Sequence, residues 1–338
     1  MTRKSQSQRS GNQSTNTQID TQNNYGLSYE EVRQTALDVF KANFYALHKE
    51  AKEIAEARAR KITEDILDEA FENKEHLIGN FSDPDIASAL VEAQKIYAKS
   101  GDNSAESVLV SLILKRLETT ERTEANILIN EAIRKTELLT KDHLVFLHVF
   151  WRSVSINMNR SNPIKMAQFL SEQYQEFAHL VPTTEIKAKR DFLEYAGLLS
   201  VRAGGRPKLV SVLKRFFGYM FTKGINLEEL GTANLTQLQR GTLWFPYGPV
   251  GDFSRVALPK HEAHLRDFMI KNGWGEKEAD RLLKLNKASE MNETEIRNFL
   301  AEYFPNLDLY LSFRENPELM NCEVTPLGKI IASHVNPL

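Results

Sequence analysis

The chain has 338 residues, 41% of them hydrophobic and 26% charged, with a net charge of −2. That length permits a sizeable core and two or three domains, while the near-neutral balance excludes a uniformly basic nucleic-acid binder. A single cysteine, Cys322, excludes an internal disulfide and any multi-cysteine zinc site, and no run of roughly 18 apolar residues is present to span a membrane.

Residues 1–26 differ from the rest. Beyond Met1 only Ile19 and Tyr25 are substantial apolar side chains, and no charge occurs between Arg9 and Asp20. Such a segment buries too little surface to offset its ordering entropy, so by itself it is expected to be a disordered polar tail. It also lacks the apolar stretch of a signal peptide, which makes the cytoplasm the expected location. Its asparagines and glutamines suggest a second behaviour. Stacked in register, Asn16, Gln18 and Asn23 would form amide ladders around Ile19 and drive self-assembly, although the repeated charge of Asp20 opposes such stacking.

Ser28 and Glu31 have the spacing of a capping box, with Leu27 placed as a hydrophobic staple. Apolar residues then recur at helical spacing through Val32, Ala36, Phe40, Ile54, Ile62 and Ile66, and neither proline nor glycine interrupts the chain from Ser28 to Ile78. Read as one element, this is a helix of about 45 residues and about 65 Å, long enough for a coiled-coil segment or a strut between parts. Asp83-Pro84 begins another helix, closed by Ser100-Gly101. Further helical stretches follow: Val108 to Leu117, Ala125 to Leu139, a core helix capped by Thr140, Ile164 to Leu180, and Glu185 to Ala196. The predicted fold is all-α, a helical bundle or array joined by short loops.

The texture changes at Gly197, since nine of the sixteen glycines lie between Gly197 and Gly251. The stretch LLSVRAGGRPKLVSV predicts two short strands around a glycine turn, and WFPYGPVGDF predicts an aromatic-packed loop. Helical patterning resumes from about Pro259 to Phe304, and Thr325-Pro326 opens a last helix that docks Leu327, Ile330 and Ile331. The chain thus divides into a tail (1–26), a helical domain with a long first helix (27–196), a glycine-rich basic irregular segment (197–257) and a C-terminal helical region (258–338).

From Tyr195 to Asn226 there is no acidic residue, while Arg202, Arg206, Lys208, Lys214, Arg215 and Lys223 all fall inside. A one-sign cluster beside glycines suits phosphate, because guanidinium forks and free backbone donors match that anion. Phe216, Phe217, Tyr219 and Phe221 would add base stacking for a single-stranded nucleic acid. The competing expectation is that these cations pair with acidic helices elsewhere and that the aromatics are core. A helix followed by a hairpin also suits the end of a winged-helix DNA-binding unit, though no basic recognition face precedes it. His261 and His264 stand one turn apart, which permits metal chelation only if a third ligand folds nearby, and surface histidines are the simpler reading. His143 and His148 do not share a helix face. No nucleotide-binding fingerprint, serine elbow or kinase motif occurs, so no catalytic residue, metal or cofactor is assigned.

The run from NQSTNTQ into GLSYEEVRQTALDVFKANF resembles a family of uncharacterised bacterial proteins known by locus-style names. The resemblance continues through DPDIASALVEAQKIYAKSGD, LTKDHLVFLHVFW, FLEYAGLLSV and VTPLGKIIA, and implies no activity, ligand or catalytic residue. The tail by itself resembles the amyloid-type signalling motifs of bacterial immune proteins, in which an apolar-Gln-apolar-Gly core follows asparagine-rich sequence. Thr17-Gln18-Ile19-Asp20 keeps the glutamine and isoleucine but not the leading apolar residue or the glycine. This second resemblance implies a sensor, adaptor or effector of phage defence.

Three readings emerge. The first is a non-enzymatic interaction protein that forms homo-oligomers through its first helix and captures protein partners with its tail. The second is a nucleic-acid or phosphate-ligand binder using the acid-free segment, and the third is a hydrolase or nuclease with dispersed acidic residues.

Overall fold

The computed structural model describes residues 28–43, 49–156, 163–217, 221–226, 245–247, 252–257, 266–267, 270–271 and 275–336. The tail, including Asn16, Gln18, Ile19 and Asn23, lies outside them, as do Tyr219, His261 and His264.

The described chain is mostly helical. It opens with α1 (Tyr29–Asn43) and α2 (Lys49–Asn73). Their arrangement corrects the expectation of one continuous helix. In such a helix Tyr29 and Phe71 would stand about 63 Å apart at 1.5 Å per residue, whereas their ring centroids are 5.3 Å apart. Arg33 also donates to Glu64 across the pair, Nη2 to Oε1 at 2.9 Å. The two helices therefore run antiparallel. The physical reason is the apolar stripe itself. A single extended helix would leave it in water, while the fold-back buries Val32, Ala36 and Phe40 with Ala59, Ile62 and Ile66 inside one chain. Within one chain the described residues of this region form a pair of packed helices, not one extended strut.

A 3₁₀ segment (Glu75–Ser82) leads into α3 (Pro84–Ser100), followed by α4 (Asn103–Arg116), α5 (Glu124–Thr136) and α6 (Lys141–Val154). Local chemistry sets these boundaries. Ser28 and Glu31 form the capping box, with the Ser28 amide donating to Glu31 Oε2 at 2.9 Å. The Asp83 carboxylate accepts from the amides of Asp85 (3.0 Å) and Ile86 (3.1 Å). Gly101 closes α3 with φ of 61°, a conformation that side chains with a Cβ resist. Thr140 caps α6. Asp83→Ala is expected to lower stability by about 1 kcal/mol, read as a lower denaturant midpoint at unchanged slope; an unchanged midpoint would show the cap to be idle.

Helix α2 runs antiparallel to α3 as well, since Gln94 Nε2 donates to Thr63 Oγ1 at 2.8 Å and Arg58 Nη1 to Ala98 O at 3.2 Å. Helices α1 and α3 consequently run parallel, side by side over α2. Behind them α6 fulfils its expected central role: Leu144, Phe146, Leu147, Val149 and Phe150 are each completely buried. Burial lowers the pKa of His148, whose Nδ1–H donates to Ala332 O at 2.8 Å.

Helices α7 (Pro163–Phe177) and α8 (Ile186–Tyr195) precede β1 (Leu199–Val201) and α9 (Leu209–Phe217). Here the expected local hairpin is corrected. Strand β1 pairs antiparallel with β5 (Cys322–Val324), Leu199 opposite Val324, while residues from Leu209 onward are helical. The sequence LVSVLKRFF buries Leu209, Val210, Leu213 and Phe217, a helical rather than alternating set. With the hairpin goes the winged-helix reading. A second small sheet joins β2 (Ile225–Asn226) and β3 (Phe245–Tyr247) to the two edges of β4 (Asp252–Ala257), all antiparallel. Part of the stretch expected as an aromatic loop is therefore strand.

The chain ends in α10 (Glu276–Ser289), α11 (Glu293–Ala301), α12 (Leu307–Arg314), β5 and α13 (Pro326–His334). Thr325 caps α13 as expected, its hydroxyl accepting from the Gly328 amide at 3.0 Å. Helix α13 returns to lie against α4, α5 and α6, so one continuous core contains residues from Val32 to Val335.

Candidate functional site

The acid-free segment is dispersed by the fold. Arg202 is paired with Glu323, 121 residues along the chain. Lys214 Nζ lies 3.4 Å from Glu290 and Lys223 Nζ 2.8 Å from Glu295. The Lys223 ammonium and the cap of α11 hold the Glu295 carboxyl below its usual pKa. Three of the six cations thus meet acidic residues from other elements. Lys208 and Arg215 are exposed. Among the aromatics, Phe217 and Phe221 are core and Phe216 is exposed.

Arg206 is different. Its guanidinium lies over the Phe150 ring, 5.2 Å from the centroid, and Nη2 donates to Leu319 O at 2.7 Å. Its Nε and Nη1 are buried with no acceptor among the described residues, as are Nε and Nη1 of Arg314. Burial, reinforced by the Arg314 charge, lowers the Arg206 pKa to about 10. Two guanidiniums therefore share a weakly compensated interior.

Beside Arg206 is a cavity of about 250 Å³ bordered by Ser155, Arg202, Arg206, Cys322, Glu323 and Lys329. These residues come from the end of α6, the loop after β1, strand β5 and helix α13. The structure thus brings Arg202 and Arg206 together but directs Lys214 and Lys223 to the acidic residues of the α10–α11 corner. Ser155, Glu323 and Lys329 carry no local signal that links them to this place. Burial pushes the Cys322 thiol pKa up, and its Sγ lies 3.6 Å from Glu318 O, which fits a packed rather than a reactive thiol.

A larger groove of about 710 Å³ opens between α1 and α3. Val32, Val39, Phe81, Leu90 and Val91 make it mainly apolar. Because α1 and α3 run parallel, Glu31 lies toward one end and Lys95 toward the other. The exposed stripe Glu31, Thr35, Val39, spaced by four residues, forms a ridge along the α1 wall.

Among the described residues no group of three His, Cys, Asp or Glu side chains is arranged to hold a metal ion, and no helix is long and apolar enough to cross a membrane. His143 stacks on Phe192, ring centroids 4.2 Å apart, and thus contributes to packing.

No curated protein matches this sequence, and no solved structure does. The model of an uncharacterised family with a locus-style name matches residues 26–336. That span runs from the residues just before the Ser28 cap to the end of the shared core, and the chain belongs to that family.

Proposed function

We propose that this is a non-enzymatic helical interaction protein that forms homo-oligomers, each copy seating the α1 ridge of another in its α1–α3 groove. The observation that carries this reading is the apolar groove beside that ridge, whose shape offers a helix of a second copy a seat of the helix-in-groove kind. Two further features favour a second copy as the occupant. Ridge and groove adjoin on one surface, as a self-complementary two-fold contact requires. Glu31 and Lys95, of opposite sign toward opposite ends, let a two-fold mate meet unlike rather than like charge.

In this reading the tail captures a partner or strengthens assembly, and its resemblance to immune signalling motifs supports a sensor, adaptor or effector role in bacterial phage defence, in the cytoplasm. The nucleic-acid alternative has weaker support, because Arg202, Lys214 and Lys223 are already paired with carboxylates.

The test uses exposed positions that leave the core untouched. Thr35→Arg and Ser88→Arg, both lining the groove, are expected to convert the oligomer to monomer by light scattering with an unchanged helical circular dichroism spectrum. Deletion of residues 1–26 is expected to preserve the fold and alter assembly or pull-down of partners. A monomeric wild type, or oligomers indifferent to both substitutions, would refute the groove as the interface. Identical behaviour with and without the tail would remove the tail from the account.

A further inference from the structure

We propose that the cavity beside the β1–β5 sheet binds a small phosphate-bearing anion, inorganic phosphate or a short phosphomonoester, gripped by Arg202, Lys329 and Ser155 and attracted by the charge of Arg206. The first argument is charge. Three cations and one carboxylate border the cavity, and Glu323 is engaged with Arg202. Lys329 forms no ion pair with a described residue, and the carbonyl of Leu319 is the only acceptor of the Arg206 guanidinium among the described residues. Two positive charges therefore stand without a carboxylate among the described residues.

The second argument is the interior behind the wall. Arg206 and Arg314 repel one another there, each with two nitrogens that find no acceptor. Among the described residues the nearest carboxylate to Arg314, that of Glu315, is 3.8 Å away and also accepts the Leu209 amide at 2.7 Å. Nε and Nη1 of Arg206 are sealed from solvent, so the anion meets Arg206 through its field rather than through those atoms. Because those atoms are buried, that field is less screened than the field of a surface charge. Direct donors are the guanidinium of Arg202, which suits bidentate contact with a phosphoryl group, the ammonium of Lys329 and the hydroxyl of Ser155.

The third argument is size. A volume of about 250 Å³ is below the roughly 300–1,000 Å³ of pockets for drug-sized ligands, which disfavours a nucleotide base and sugar but leaves room for a phosphate with a few carbon atoms. Glu323 gates the site. An incoming anion replaces its carboxylate on Arg202, so removing the Glu323 charge frees a donor in place.

Isothermal titration of the full-length protein with inorganic phosphate tests this. Saturable binding with one site per chain is expected, weakened about ten-fold or more by Arg202→Ala and by Lys329→Ala, and tightened by Glu323→Gln. All three positions are exposed, and circular dichroism verifies that each variant is folded. A heat reproduced by sodium chloride at equal ionic strength, an affinity unchanged by Lys329→Ala, or a weaker complex with Glu323→Gln would overturn the proposal. So would tight binding of single-stranded oligodeoxynucleotide in place of phosphate.

Discussion

Gly328→Ala is expected to lower stability by about 3 kcal/mol, the upper end for overpacking, although alanine is ordinarily the better helix former. A Cβ at Gly328 would lie 2.2 Å from the carbonyl oxygen of Leu198, 3.1 Å from its carbon and 3.0 Å from Val324 Cγ1. The obstacle is backbone and cannot rotate away. That same oxygen accepts from the Thr325 amide at 3.0 Å and the Thr325 hydroxyl at 3.1 Å, so any shift loosens the cap of α13 as well. Helix α13 would move off α5 and α6, where Ile331 and Ala332 are completely buried. Gly79→Ala serves as control, because nothing lies within 4 Å of its added Cβ. Denaturant titration of the two variants should separate them clearly. Equal midpoints would show that α13 is not docked as described.

Phe150→Ala is expected to cost about 3–5 kcal/mol, the range for truncating a buried phenylalanine. Its side chain is fully buried, 6.5 Å from the Phe146 ring between centroids. Truncation leaves a void in the centre of α6 and removes the aromatic face on which the Arg206 guanidinium rests. Phe150→Leu, which refills part of the volume, should recover part of the loss. A thermal or denaturant transition for Phe150→Ala within error of wild type would contradict the placement of α6 at the centre of the core.

How much of this was legible in the sequence depends on range. Caps at Ser28, Asp83, Thr140 and Thr325 use partners two or three residues away, and the left-handed turn at Gly101 needs only the absence of a Cβ. Helix starts, one helix stop and the apolar face of α6 follow from such short-range chemistry, and so does the all-α class. Other features depend on what meets what. The stripe from Val32 to Ile66 is equally compatible with an extended strut between parts and with two helices closing on each other, because periodicity records which face is apolar and not what covers it. The glycines after β1 suggest a local hairpin, yet the strand's hydrogen bonds are satisfied by Cys322–Val324. The acid-free segment was legible as a cluster of charge, but its neutralisation by Glu323, Glu290 and Glu295 was not, since those carboxylates arrive from other elements.

Short-range chemistry sets the local vocabulary of this protein: where helices begin, which faces avoid water, and where positive charge is concentrated along the chain. Tertiary structure alone decided that α1 folds back on α2, that α13 closes the core against Leu198, and that Arg206 and Lys329 border one cavity. The division has one physical cause. Backbone capping and side-chain periodicity act over a few residues, whereas burial and charge compensation are settled by whichever distant surfaces the whole chain brings into contact.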